Sequence, residues 1–281
     1  MPRIRYPGQR VWVKRRGPRP AFAMFALLLC ALSAFIALTR PGVPLAPLQP
    51  TEPINFDTAM PDDDVRVTHD IAFDPVELYI VGLFLSDQAD WARIEAARFV
   101  RRGAAGYVYP ADGRYAVLGS GYFSKEDAEA VVKNLFEQEQ IEATVLPLCA
   151  GNVYLRVTAM QHQLTALTQA DFTVRTVCNA LQSHALSLDK GAREPIQIRS
   201  ALQDLCGRVQ SALQALENAA GEQPNAVAGG LIDVLGGLLE SVERLATDSA
   251  DTPLTFSGKI KHAFLGANIA HIEFLQSLAS P

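Results

Sequence analysis

The chain has 281 residues and a formal charge of −5, with a mean hydropathy of +0.09. Residues 1–40 hold eight of its 25 basic side chains and no acidic one, so the remaining 241 carry 17 basic against 30 acidic groups, a net −13. An acidic bulk argues against nucleic-acid binding, which needs a basic face. The four cysteines include no C-x-x-C pair, so no zinc site or disulfide framework reads off the sequence.

Residues 1–20 form a basic arm: Arg3, Arg5, Arg10, Lys14, Arg15, Arg16 and Arg19, with no acid. Residues 21–38 (AFAMFALLLCALSAFIAL) contain no charge. At ~1.5 Å per residue such a run nearly crosses a ~30 Å hydrocarbon core. It is predicted to be a single transmembrane helix, and the positive arm should stay in the cytoplasm. The bulk of the chain is therefore expected outside the cytoplasm, tethered to the cytoplasmic membrane by one helix. A cleaved signal peptide and a buried core helix are the rival readings. The first fits poorly, because the arm and apolar run are long and no clean A-x-A site follows. Residues 39–75 are expected to be an extracytoplasmic linker. Pro41, Pro44, Pro47, Pro50, Pro53 and Pro61 prevent regular structure there.

Residues 76–150 change character. Val76–Phe84 is a β-rich run. A helix is expected over 87–102, with Trp91, Ile94, Ala97 and Val100/Arg101 near one stripe and Gly103 at its end. Two strands, 106–109 and 114–119, flank an Asp112-Gly113 hairpin turn. Ser124 caps a second helix carrying Ala128, Val131, Val132, Leu135 and Phe136. A fourth strand follows at 143–146. The predicted order is β-α-β-β-α-β, a ferredoxin-like unit whose two helices leave one sheet face uncovered.

This segment resembles the SPOR domain, the peptidoglycan-binding module of bacterial division and sporulation proteins. Tyr79-Ile80-Val81-Gly82-Leu83-Phe84 stands where the family has an x-V-Q-V-G-S-F strand. Tyr115-Ala116-Val117, Gly119/Gly121, Phe123-Ser124 and Asp127-Ala128 follow its Y-R-V-x-x-G-P-F pattern. The resemblance covers about a quarter of the chain and implies that peptidoglycan glycan strands lie on the uncovered sheet face. Two departures bear on that. Ile80 replaces the family's Gln and Ala116 its Arg, and period-two alternation makes the face that holds Leu78, Ile80, Ala116 and Leu118 apolar. Such a face more often meets protein than sugar. Five of the seven tyrosines lie in the segment and offer stacking surfaces, or simply reflect strand preference. The candidate glycan-binding residues are Ile80, Tyr107, Tyr109, Tyr115, Ala116 and Tyr122.

Residues 151–281 read as an all-α bundle of about four helices. Apolar residues recur at helical spacing from Met160 to Leu188, from Ile198 to Leu216, from Val227 to Leu245 and from Ile260 to Leu275. Short connections imply up-down packing. Gly229-Gly230 and Gly236-Gly237 suggest close approach by a neighbouring helix, with a partner-helix groove or membrane insertion as alternatives. Cys178 and Cys206 either pair across two antiparallel helices or stay as free thiols.

No catalytic or metal-binding motif assembles, and no cofactor is expected. Five histidines show no metal spacing, and no nucleophile elbow, Walker loop or dinucleotide fingerprint is present. The leading expectation is a non-enzymatic, single-pass envelope protein that binds peptidoglycan in division or sporulation, its bundle docking another envelope protein or itself. The alternative is an assembly scaffold whose apolar sheet face is covered by protein. An enzyme using the bundle is a third reading.

Overall fold

The computed structural model describes residues 66–248 and 252–279. The expected basic arm, membrane span and most of the linker lie outside the described residues. Among the described helices none is long and apolar enough to cross a membrane. The fold is α+β, a mixed β/α region followed by four long helices.

Twelve elements follow in order: β1 (Arg66–Phe73), β2 (Val76–Ser86), α1 (Ala89–Val100), β3 (Tyr107–Ala111), β4 (Arg114–Tyr122), α2 (Lys125–Glu139), β5 (Thr144–Ala150), β6 (Val153–Met160), α3 (Gln161–Asp189), α4 (Pro195–Ala220), α5 (Ala226–Thr247) and α6 (Pro253–Ala279). Residues 76–150 thus follow the expected β-α-β-β-α-β order. Their strands form an antiparallel sheet in the order β3-β4-β2-β5. The β3–β4 turn places Asp112 and Gly113 at φ of 49° and 75°, as a tight hairpin with two left-handed residues requires. Opposed irregularities keep β2 and β4 in register. Leu83 and Gly119 are the extra residues, and a Cβ on Gly119 would stand 2.6 Å from Leu83 Cδ1.

Helices α1 and α2 cover one face of this sheet. The α1 stripe that touches it is Ala92, Ala96 and Phe99, packed on Val108, Tyr115 and Val117. The expected apolar stripe points the other way: Trp91 is 54% exposed and Ile94 52%. Small alanines let the helix sit close to the strands, and the larger residues are left outside. On α2, Ala128, Val131, Val132 and Leu135 face the sheet, while Phe136 is exposed.

Strands β1 and β6 are not expected from the sequence. Residues 66–73 fall in the expected linker, yet they pair antiparallel with β6 along eight residues, from Arg66↔Met160 to Phe73↔Val153. The ribbon alternates cleanly. Ile71, Phe73 and Val153 are buried against the bundle, with Val67, Leu155, Val157 and Ala159 packed beside them. The outer positions carry a Thr68–Thr158 hydroxyl bond of 2.7 Å and an Asp70–Arg156 ion pair of 3.0 Å.

The four long helices close a ring, α3 against α4, α4 against α5, α5 against α6 and α6 back on α3. Their buried positions follow the expected stripes, among them Leu167, Val174, Leu181, Ile198, Leu202, Val209, Leu231, Leu238, Val242, Phe264 and Ile272. Helix α5 begins at Ala226 with Asn225 capping the Ala228 amide at 2.9 Å, so Pro224 lies before the cap rather than inside the helix. Of the paired glycines, Gly230 alone meets a neighbour, the ring of Phe274; Gly229, Gly236 and Gly237 face open space. Cys149, Cys178 and Cys206 are free thiols.

Candidate functional site

The sheet face that the sequence leaves uncovered carries Val76, Leu78 and Ile80 on β2, Ala116 and Leu118 on β4, and Leu146 and Leu148 on β5. Helix α6 lies across it, touching β3, β4 and β5. Ile80 is 3% exposed and Ala116 2%. Both sides supply glycines where backbone must come close. A Cβ on Gly121 would stand 2.8 Å from Leu265 Cδ2, and one on Gly258 would stand 2.8 Å from the Ala104 carbonyl oxygen. Gly266 leaves room for the ring of Tyr107.

Polar groups stitch the same seam. Lys261 Nζ donates to the Gly103 carbonyl at 3.0 Å and pairs with Asp189 Oδ2 at 2.8 Å. Ser257 Oγ donates to Asp189 Oδ1 at 2.6 Å. His262 Nδ1 lies 3.0 Å from the Ala105 carbonyl oxygen, and its ring tilts against Tyr107 with centroids 4.9 Å apart. The buried backbone of the α1–β3 loop is therefore hydrogen-bonded by α6 side chains, as burial demands. Phe123 meets Phe264 edge-on at 5.5 Å.

The six candidate glycan residues do not share a surface. Ile80, Ala116, Tyr107 and Tyr109 face α6. Tyr115 packs with α1 and Tyr122 with α2, on the opposite side of the sheet. Tyr109 donates its hydroxyl to Glu273 Oε1 at 3.4 Å. Burial and then the Glu273 charge raise the Tyr107 and Tyr109 phenols above their usual range. Burial pushes Tyr122 up to about 12. All three stay neutral donors at ordinary pH. Period-two alternation separates Tyr115 from Ala116, but the extra residue Gly119 reverses the parity of β4, and only the strand register places Tyr122 on the α2 side.

A second constellation was not anticipated. Where the β1–β2 corner meets the bundle, His271 Nε2 lies 2.8 Å from Asp171 Oδ1. Arg175 donates to Asp171 Oδ2 at 2.8 Å and reaches the backbone carbonyls of Asp74 and Pro75. His271 is 1% exposed. Burial would raise the Asp171 carboxyl, but bonds to His271 and Arg175 outweigh it and hold the group below the usual range. Arg175 and His271 border a cleft of about 390 Å³ that also touches Glu77, Phe123, Cys178 and Asn268. A histidine held by a carboxylate supplies two of the three members of a nucleophilic triad. The nearby thiol does not supply the rest, because burial pushes Cys178 up to about 12 and keeps it protonated. What the cluster does is clasp the β1–β2 corner to α3 and α6. Among the described residues no group of three His, Cys, Asp or Glu is placed to hold a metal ion.

Comparison with known proteins finds no matching family model, no matching curated protein and no matching solved structure.

Proposed function

We propose that this chain is a non-enzymatic, membrane-anchored scaffold of a bacterial envelope, with a ferredoxin-like, SPOR-like unit that holds its own helical bundle instead of a glycan strand. One observation carries the reading: α6 occupies the sheet face on which the resemblance would place sugar, burying Ile80 and Ala116. A glycan would have to displace an apolar seam and its hydrogen bonds, and it would then meet aliphatic side chains where its hydroxyls need polar partners. The apolar run at 21–38 supplies the anchor, and the acidic bulk lies on the extracytoplasmic side. Partner contacts fall to large apolar side chains left outside, among them Tyr154, Phe172 and Ile196, at 73%, 61% and 65% exposure.

Two measurements test this. The full chain, in mild detergent, is sedimented with peptidoglycan stripped of stem peptides. It should remain in the supernatant to the same extent as an unrelated control. Specific pelleting overturns the scaffold reading and restores glycan binding. An alkaline phosphatase fused to the C-terminus should be active in cells. An inactive fusion rejects the anchor topology.

A further inference from the structure

Among the described residues, nothing buries the outward face of α1. Its sheet-facing stripe is Ala92, Ala96 and Phe99. Diametrically opposite, at 100° per residue, Trp91, Ile94, Ala97, Arg98 and Arg101 share an arc of about 120° with one acid, Asp90, which pairs with Arg93. All five are exposed, Trp91 and Ile94 by more than half. Trp91 is one of only two tryptophans in the chain; the other, Trp12, lies in the basic arm.

The charges around this face differ from those of the rest. Residues 87–102 carry four arginines against Asp87, Asp90 and Glu95, and Arg102 pairs with Glu139 of α2 at 3.8 Å, so this surface is close to neutral whereas the chain beyond residue 40 carries −13. Arg93 and Arg98 bond Asp90 and Glu95 at 3.1 and 2.6 Å while remaining about 70% exposed, and Arg101 is exposed at the C-cap. A tryptophan and an isoleucine bracketed by arginines have the chemistry of a bilayer interface: the indole sits at headgroup level and the guanidinium groups meet anionic lipid.

We infer that the exposed face of α1 rests on an anionic lipid surface and lays the folded domain down on the membrane. The inference rests on the anchoring reading above, and the anchor is what makes so small a patch sufficient. Residues 39–65 separate the apolar run from β1, and 27 residues reach at most about 90 Å at ~3.3 Å each. The domain is therefore confined near the bilayer, and a contact too weak to recruit a free protein becomes intramolecular.

The test uses the full chain with Trp12→Phe, so that Trp91 is the single fluorophore. It is reconstituted into vesicles of phosphatidylcholine alone or mixed with phosphatidylglycerol, with and without brominated acyl chains. In the anionic vesicles Trp91 should emit further to the blue than in detergent and be quenched by bromine. Both effects should be lost in pure phosphatidylcholine, at high salt, and in the variant Arg98→Glu/Arg101→Glu. That variant alters only exposed positions, and unchanged helical circular dichroism verifies its fold. A chain that floats with the vesicles while Trp91 stays red-emitting and unquenched overturns the inference and leaves the anchor standing. A blue shift that follows protein density rather than lipid composition assigns the face to a second copy and also overturns it. A chain that floats with neither kind of vesicle overturns the anchor and the inference together.

Discussion

Gly258→Ala is the substitution whose sign depends most directly on how α6 is docked. In a helix interior, alanine is favoured over glycine by about 1 kcal/mol, so in an unconstrained helix the change stabilises. Here the added Cβ would stand 2.8 Å from the Ala104 carbonyl oxygen and 3.3 Å from the Gly103 carbonyl carbon. Both are backbone atoms, and the Gly103 carbonyl is itself held by Lys261. They cannot swing aside as a side-chain tip would, so the helix or the loop must shift. Overpacking of this kind costs about 1–3 kcal/mol. Set against the propensity gain, the expected outcome is a net loss of about 1 kcal/mol. Gly236→Ala and Gly237→Ala are matched controls, for nothing lies within 4 Å of a Cβ at either site. Each should gain roughly 0.5–1 kcal/mol. Urea unfolding of the full chain in mild detergent, followed by helical circular dichroism, reads the difference as a shift in midpoint at constant slope. If Gly258→Ala stabilises the protein as the two controls do, α6 does not rest on the α1–β3 loop and the covered sheet face is wrong.

Three further outcomes follow from the same geometry. Ile80→Ala should cost about 2–4 kcal/mol, as a buried aliphatic truncation does, whereas an open sheet face would make it nearly neutral; the same unfolding assay decides. In a Cys30→Ser background, native-state maleimide labelling should modify exposed Cys149 first, and Cys178 only after unfolding, because its buried thiol is pushed up to about 12; rapid labelling of Cys178 contradicts its burial. Burial and then Arg193 lower the His184 pKa below the ordinary imidazole range, so the folded state disfavours the protonated ring. That stabilisation is full above about pH 6.5 and is lost as pH falls through the lowered value. His184→Gln should therefore flatten the stability profile between about pH 7 and pH 5, and an unchanged slope would refute the assignment.

Much of the fold was legible because the local signals were strong. The Asp112-Gly113 turn, the Ser124 cap and the four long helical stripes each left a pattern short enough to read without tertiary context. The ribbon strands were not legible. Arg66–Phe73 follows a run of prolines and alternates with polar residues, and it is a strand because β6, some 90 residues later, pairs with it. The covered face did leave a trace. Leu78, Tyr79, Ile80 and Val81 are apolar at both parities, the mark of a strand buried on both sides. Helix α6 shows the same thing, with Ile260, Ala263, Leu265 and Ile269 buried at angles that together span most of its circumference. The His271–Asp171–Arg175 clasp left no such trace, since Asp171 and Arg175 form an ordinary i,i+4 pair on one helix and His271 joins them from 100 residues away.

By itself the sequence determined the parts: an uncharged run behind a basic arm, a β-α-β-β-α-β order, and four amphipathic helices. Those follow from chemistry repeated every two or 3.6 residues, which is written along the chain. Only the tertiary structure decided what the parts meet. Whether an apolar sheet face receives a sugar, a partner or the protein's own last helix depends on which surfaces coincide in space. Here that was settled by glycines at 121, 258 and 266, whose missing side chains let α6 close the face.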